Sequence, residues 1–289
     1  FDNKLGFGEG ELCSNKIFKF ETGKVPFIAV NEFFTMLLAK AVGLIVPDVE
    51  LRAIADVRVF VIDRFDRRLV ANENRVLRRH VIDGCQACNL PPSYKYERQF
   101  GDDGDSIYFR DGVSFSKLFA VTTANASAYQ TQLIRWMTFN ILVRNYDAHG
   151  KNISFFVGKN GLELTPFYDL VNIEAIIQSL PSVEFGRSYT MSVGEHTSGA
   201  GNFTNPITAF MLADFADEFA ISIDRLQLVM QQIVNATLAC LEQTKQQVLA
   251  FELTPDEVQH LDLCIAVIKQ SAIELQAEIN QLPSLQDLF

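Results

Sequence analysis

The chain has 289 residues, of which 48% are hydrophobic, 21% charged and 11% aromatic. That length and apolar content can bury a sizeable core, in one large domain or in two lobes. The formal net charge of −10 argues against a large direct nucleic-acid footprint, because phosphate binding needs clustered Lys and Arg.

The opening "FDNKLGFGEG" has neither the basic start nor the apolar run of a signal peptide, and it begins with Phe rather than Met, as a fragment or a processed product does. The stretch "KLGFGEGELCSNKIFKFE" reads as a Gly-rich loop entering a short strand, Lys16 to Phe20, with Lys19 on the face opposite Phe18 and Phe20. In "NEFFTMLLAKAVGL" the apolar positions recur at helical spacing, with Asn31 as the expected cap and Gly43 as the expected end. After Pro47, "VELRAIADVRVFVIDRF" predicts two strands, about 49–53 and 57–62. Two basic runs, "RFDRR" at 64–68 and "RVLRR" at 75–79, stand against the acidic balance; solvated surface and local basic patch both remain open.

Residues 84–112 are polar and Gly-rich, with "LPPSYKYERQFGDDGD" as an expected long loop. Five Cys, an odd number, fit reduced thiols in a cytoplasmic protein. "CQAC" at 85–88 has no second Cys or His pair at zinc spacing, so buried structural thiols are the expectation. From about residue 126 the pattern is mainly helical: "AYQTQLIRWMTFNILVRN" is a strong helix, and 206–219, 222–248 and 255–281 read as three closing helices. Between them "GLELTPFYDLV" reads as a short strand pair turning at Pro166. The polar stretch 188–204 reads as a surface connection, with a loop beside the cleft as the alternative. No G-x-S-x-G supports a hydrolase, and no run of about 18 apolar residues suggests a membrane helix. The expected fold is α+β and bilobal: a small strand-rich nucleotide-binding lobe, 1–66, and a larger, mainly helical lobe, 67–289. A cleft between two such lobes is a natural nucleotide site.

The nine residues "RNYDAHGKN" directly follow the long apolar helix. Asp147 is followed five positions later by Asn152, and Asp169, in "TPFYDLV", comes 22 positions after Asp147. Protein kinases use this order: an Asp that orients the acceptor hydroxyl, an Asn that holds a metal ion, and a later Asp that holds metal against the phosphates. Lys19 on an early strand is placed to grip phosphates, with Glu32 as an ion-pair partner. Mg²⁺ prefers hard oxygen ligands and keeps water, so one Asp and one Asn beside phosphate oxygens suffice. Taken singly, each residue has a plainer reading: Asp and Asn are common after helices, Asp169 could cap a segment, and Lys19 could lie on an edge strand. Their order along the chain favours the joint reading.

The stretches "KIFKFE", "VNEFFTMLLAKAVGLIVPDVEL", "VIDRFDRR", "CQACNLPPSYKYE", "NYDAHGKNISFF" and "LTPFYDLV" extend that reading over nearly the whole chain. In them the sequence resembles the HipA family of bacterial serine/threonine kinase toxins. The resemblance implies that Lys19 contacts the ATP phosphates and that Asp63, Arg64 and Phe65 form a hinge touching adenine. It implies Asp147 as the catalytic Asp, His149 beside the nucleotide, and Asn152 and Asp169 as Mg²⁺ ligands. For His149 a loop-stabilising hydrogen bond is the alternative. Lys151 serves either phosphate or the loop, and "KYE" at 95–97 matches a family segment without an assigned role. The implied partners are a HipB-like helix-turn-helix antitoxin and a protein substrate such as an aminoacyl-tRNA synthetase, with DNA reached only through the antitoxin.

One departure stands out. Family members carry a Ser-containing loop of the type S-x-x-G-x-Q-x-K before the Lys strand, whereas "GFGEGE" at 6–11 has neither Ser nor Gln-x-Lys. The family's N-terminal subdomain is also missing from this sequence. Either the sequence is part of a longer protein, or the protein lacks both elements. The leading expectation is an ATP- and Mg²⁺-dependent kinase toxin. The alternatives are a non-catalytic module that acts by docking the antitoxin and a small-molecule phosphotransferase on a related fold.

Overall fold

The computed structural model describes residues 13–70, 75–101, 104–180, 186–194 and 207–288. In chain order the elements are β1 (Lys16–Phe20), α1 (Ile28–Ala41), β2 (Val49–Ile54), β3 (Val57–Asp63), β4 (Arg67–Val70), β5 (Arg75–Arg78) and β6 (Val81–Asp83). Next come α2 (Gly84–Ala87), α3 (Phe115–Phe119), α4 (Ala126–Leu142), β7 (Ser154–Gly158) and β8 (Gly161–Leu164). The helices α5 (Ile173–Ser179), α6 (Ala209–Glu218), α7 (Ile223–Leu249) and α8 (Pro255–Ile279) close the chain. The fold is α+β, with small sheets early and helices late. Among the described residues no helix is long and apolar enough to cross a membrane.

Among the described residues three antiparallel sheets organise the strands, in orders β1-β3-β2, β4-β5 and β6-β7-β8. In the first, Lys19 pairs across from Phe60, and Lys16 across from Asp63. The central strand β3 places Val59, Phe60, Val61 and Ile62 in the core. The third sheet sets Asp83 opposite Ser154, which brings the start of α2 beside the loop that follows α4.

Helix α1 starts three residues before the expected cap. Phe27 lies at φ +66 with no side-chain cap of its own. Glu21 supplies the acceptor instead, taking hydrogen bonds from the amides of Phe27 (3.0 Å) and Ala29 (3.4 Å). Asn31 therefore sits one turn inside the helix, buried, where its amide bonds to Asn172 on both sides. The predicted end is found: Gly43 is at φ +82, with Gly43 N to Lys40 O at 3.1 Å and Leu44 N to Ala39 O at 2.9 Å. That paired closure needs a left-handed residue, for which Gly is the least costly.

Two further expectations are corrected. "GLEL" is a single strand, β8, whose partner β7 precedes it, and Pro166 lies beyond the ladder. The expected long loop, 90–105, carries short 3-10 turns at Pro92–Lys95 and Gly104–Tyr108, and the polar segment before it contains α2. Local bonds invisible to apolar periodicity build them; Asp83 and Gln86 form a reciprocal capping box. "GFGEGE" and residues 195–204 of the polar stretch lie outside the described residues. The closing helices fall as expected. Ser222 caps α7, and Thr254 with Glu257 forms a capping box at α8, with Pro255 in its first turn.

One hydrophobic cluster runs from α1 and β3 through α4, α6, α7 and α8. Phe33, Phe34, Met36 and Leu38 of α1 are buried in it, each contributing roughly 2 kcal/mol by area removed from water. α1 packs on α7 and α8 as well as on β2 and β3, so the strand-rich and helical parts share a core.

Candidate active site

The loop after α4 owes its shape to three asparagines. Arg144 reverses the chain at φ +48, and Asn145 N bonds to Asn140 O at 2.9 Å. Buried Asn145 then accepts from Asp147 N (3.2 Å) and donates to Asn140 Oδ1 (2.9 Å) and to the Asp169 carbonyl (3.4 Å). Asn152 closes the loop, its Nδ2 donating to the Asp147 carbonyl at 3.1 Å. Asp147 is left with its carboxylate exposed.

Asp169 arrives from the other side, after β8, at φ +60. Asp is one of the few side chains that tolerate the left-handed region. This conformation sets its Oδ1 2.5 Å from Lys19 Nζ, which also lies 2.7 and 3.0 Å from the two carboxylate oxygens of Glu32. Lys19 and Glu32 thus pair as the sequence suggests. Burial works against the charge on Lys19, but Glu32 and Asp169 outweigh it and raise its pKa. Burial pushes Glu32 up to about 7; Lys19 opposes that shift and Asp169 adds to it.

These groups line one cleft of about 320 Å³. Its polar wall carries Lys19, Glu32, Asn145, Asp147, Asn152 and Asp169. Its apolar wall is formed by Phe20, Ile28, Ala29, Phe60, Val171 and Ile173. Four of the eight predicted site residues therefore meet in one space: Lys19, Asp147, Asn152 and Asp169. Asn152 and Asp169 suit a hard cation. With Nδ2 of Asn152 used by Asp147 and Oδ1 of Asp169 used by Lys19, each keeps an oxygen for a metal that retains water.

The other four stand outside the cleft lining. Asp63 pairs with Lys16, and its amide bonds to Asp48 O. Arg64 is held by Asp66, and its amide bonds to Asn15 O. Phe65 packs on Phe156 and Tyr168, ring centroids 5.9 and 5.7 Å away. His149 is buried, with Nε2 2.9 Å from Lys95 Nζ and its ring edge-on to Tyr96. Burial lowers its pKa; Asp147 works against that shift, and Lys95 works with it.

Sequence reasoning missed the parts that hold the loop. Tyr168 donates to the Lys151 carbonyl and accepts from the Ser154 hydroxyl, both at 2.6 Å, which ties the Asp169 segment to the loop. Lys151, left open between phosphate and the loop by the sequence, is paired with Asp83 at 2.6 Å. Burial raises the pKa of both CxxC thiols, Cys88 to about 11, as suits packed rather than reactive cysteines. Only the pairing of Tyr168 with the following Asp hinted at the first of these contacts.

A Lys–Glu pair under a small antiparallel sheet, facing an Asp–Asn loop and a later Asp on a helical body, defines a protein-kinase-like fold. The chain belongs to the family of HipA-like C-terminal domains, whose model matches residues 2–241. It is 39% identical over 216 residues to the serine/threonine-protein kinase toxin HipA of Shewanella oneidensis, covering 74% of this chain and 47% of that protein. It is 31% identical over 193 residues to the putative kinase Y4mE of Sinorhizobium fredii, covering 66% and 44%. The chain thus spans about half the length of these curated relatives. The Shewanella oneidensis toxin–antitoxin structure of HipA, HipB and operator DNA superposes with a TM-score of 0.86 at 32% identity, over 99% of this chain and 64% of that one. The Helicobacter pylori proinflammatory kinase CtkA shares the fold alone: TM-score 0.56 at 10% identity, over 93% and 91% of the two chains.

Proposed function

We propose that this chain is the phosphoryl-transferring part of an ATP-dependent serine/threonine protein kinase, a toxin of a toxin–antitoxin pair. One observation carries the reading: Lys19, Asp147, Asn152 and Asp169, up to 150 positions apart, converge on one cleft. Lys19 neutralises phosphate charge and is oriented by Glu32. Asp147 orients the acceptor hydroxyl and takes its proton as the hydroxyl oxygen bonds to the γ-phosphorus. The bond from that phosphorus to the β,γ-bridging oxygen breaks, and ADP leaves with the electron pair. Asn152 and Asp169 would hold Mg²⁺, which supplies neutralisation of phosphate charge. The transfer is chiefly positioning and electrostatics, for which a preformed cleft is suited.

The segment Asp63–Phe65 serves as the adenine-side hinge, and residues 1–66 and 67–289 are the two lobes. Because the amides of Asp63 and Arg64 are bonded within the fold, the amide and ring of Phe65 are the groups we assign to adenine. His149 lies beside the nucleotide. The partner is a HipB-like helix-turn-helix antitoxin, and DNA is reached through it; the complex of the Shewanella relative with HipB and operator DNA supports this. The substrate is a translation component such as an aminoacyl-tRNA synthetase, and the setting is the bacterial cytoplasm. Full-length protein with ATP labelled in its γ-phosphate should label a synthetase. Asp147→Asn should abolish transfer, by about a thousandfold or more, while ATP still binds by calorimetry. Equal labelling by the variant removes Asp147 from its role; absence of ATP binding with Mg²⁺ present favours a non-catalytic docking module.

A further inference from the structure

The segment Tyr94–Glu97 is a strap laid across the Asp147 loop and fixed on both edges. Gly150 N donates to Lys95 O (2.8 Å), Val113 N to Tyr94 O (3.0 Å), Gly112 N to Glu97 O (3.0 Å) and Glu97 N to Thr190 O (3.2 Å). The fully buried Glu97 carboxylate accepts from Arg110 Nε (2.7 Å) and Ser192 N (2.6 Å). The approach is close enough that a Cβ on Gly112 would fall 1.7 Å from Tyr96 O, and one on Gly150 2.5 Å from Val113. A half-buried polar segment held this firmly has its side chains aimed, and two of them point at the loop. Tyr96 OH donates to Asp147 Oδ1 at 3.2 Å, and Lys95 Nζ stands 2.9 Å from His149 Nε2.

The second contact fixes a tautomer. A Lys ammonium has donors only, so His149 Nε2 must accept and the ring proton sits on Nδ1. That Nδ1 is buried and has no partner among the described residues.

We propose that the Lys95–Tyr96 strap is a further part of the phosphoryl-transfer apparatus. Tyr96 is a positioning residue that occupies Asp147 Oδ1 and leaves Oδ2 to the acceptor hydroxyl. Lys95 locks His149 in the neutral Nδ1–H tautomer within the Asp147 loop. This rests on the kinase reading above.

The test uses full-length protein, Mg²⁺ and ATP labelled in its γ-phosphate, with total conversion to ADP followed under single-turnover conditions. Tyr96→Phe should slow conversion about tenfold, the scale of one hydrogen bond to a charged group, and leave the ATP Kd within about twofold. Added to Asp147→Asn, it should cost nothing more, because it acts through that carboxylate. Unchanged conversion in Tyr96→Phe, or a full further loss in the double variant, overturns the positioning role. Nitrogen-15 NMR of the wild type should find His149 protonated on Nδ1, and Lys95→Met should lose that preference; an Nε2–H tautomer in the wild type overturns the lock. Wild-type protein that binds no ATP refutes the kinase reading itself and the strap's catalytic role with it. Binding without a Tyr96 effect refutes the positioning role alone.

Discussion

Lys19 holds two carboxylates at once, and one of them is almost fully enclosed: the Glu32 side chain is 3% exposed. Burial raises the Glu32 pKa from 4.5 to about 7. Between those values the folded protein binds more protons at Glu32 than the unfolded chain does, so the residue's contribution to stability falls as pH rises from 4.5 to 7. Glu32→Gln should flatten that slope in urea unfolding measured at pH 5 and pH 7; an unaltered slope would show that Glu32 does not titrate there. The identities of Lys19, Asp147, Asn152 and Asp169 were legible from order and spacing. Asn145, Tyr96 and Tyr168 were not, since their partners lie on other segments and residue type alone does not reveal a hydrogen bond.

The elements α1, α5 and α8 meet at a buried polar junction. His260 Nε2 lies 3.0 Å from Asn31 Nδ2, its Nδ1 lies 2.9 Å from Ser179 Oγ, and its ring stacks on Phe27. Burial drives its pKa from 6.5 down to about 4. In that window the unfolded chain binds more protons, so this contribution is complete above pH 6.5 and is lost as pH falls toward 4, up to about 3 kcal/mol. His260→Gln, which keeps hydrogen-bonding groups but does not titrate, should lose less stability between pH 7 and pH 4.5 than the wild type. Equal acid losses would place the sensitivity elsewhere. The same junction explains why Asn31 misled as a cap: the cap sequence is ordinary, but the helix start is set by Glu21 from six residues before Phe27. Helix and strand periods were readable wherever one face is buried. The short turns of 84–112 carry no such period.

At the scale of the molecule, Arg58 on β3 clasps the start of α8. Its Nε and Nη2 meet the two oxygens of Glu257 at 2.8 and 2.7 Å, and Nη2 also reaches Glu252 O at 2.8 Å. Both side chains are largely buried, 15% and 7% exposed. Arg58→Ala strands the Glu257 carboxylate and should cost about 3 kcal/mol, lowering Tm by roughly 6–12 °C in a thermal melt. A change under about 1 °C would make the clasp a surface pair of little consequence. The sequence by itself determined the α+β class, most helices, the strands around Lys19 and the four residues that meet in the cleft. Those follow from period, capping chemistry and short spacing, which are local. Tertiary structure alone decided that Lys19 and Asp169 touch, that the strap of residues 94–97 reaches Asp147 and His149, and that one core unites sheet and helices. Such contacts join distant segments, and their distances are fixed only when packing sets every element against the others.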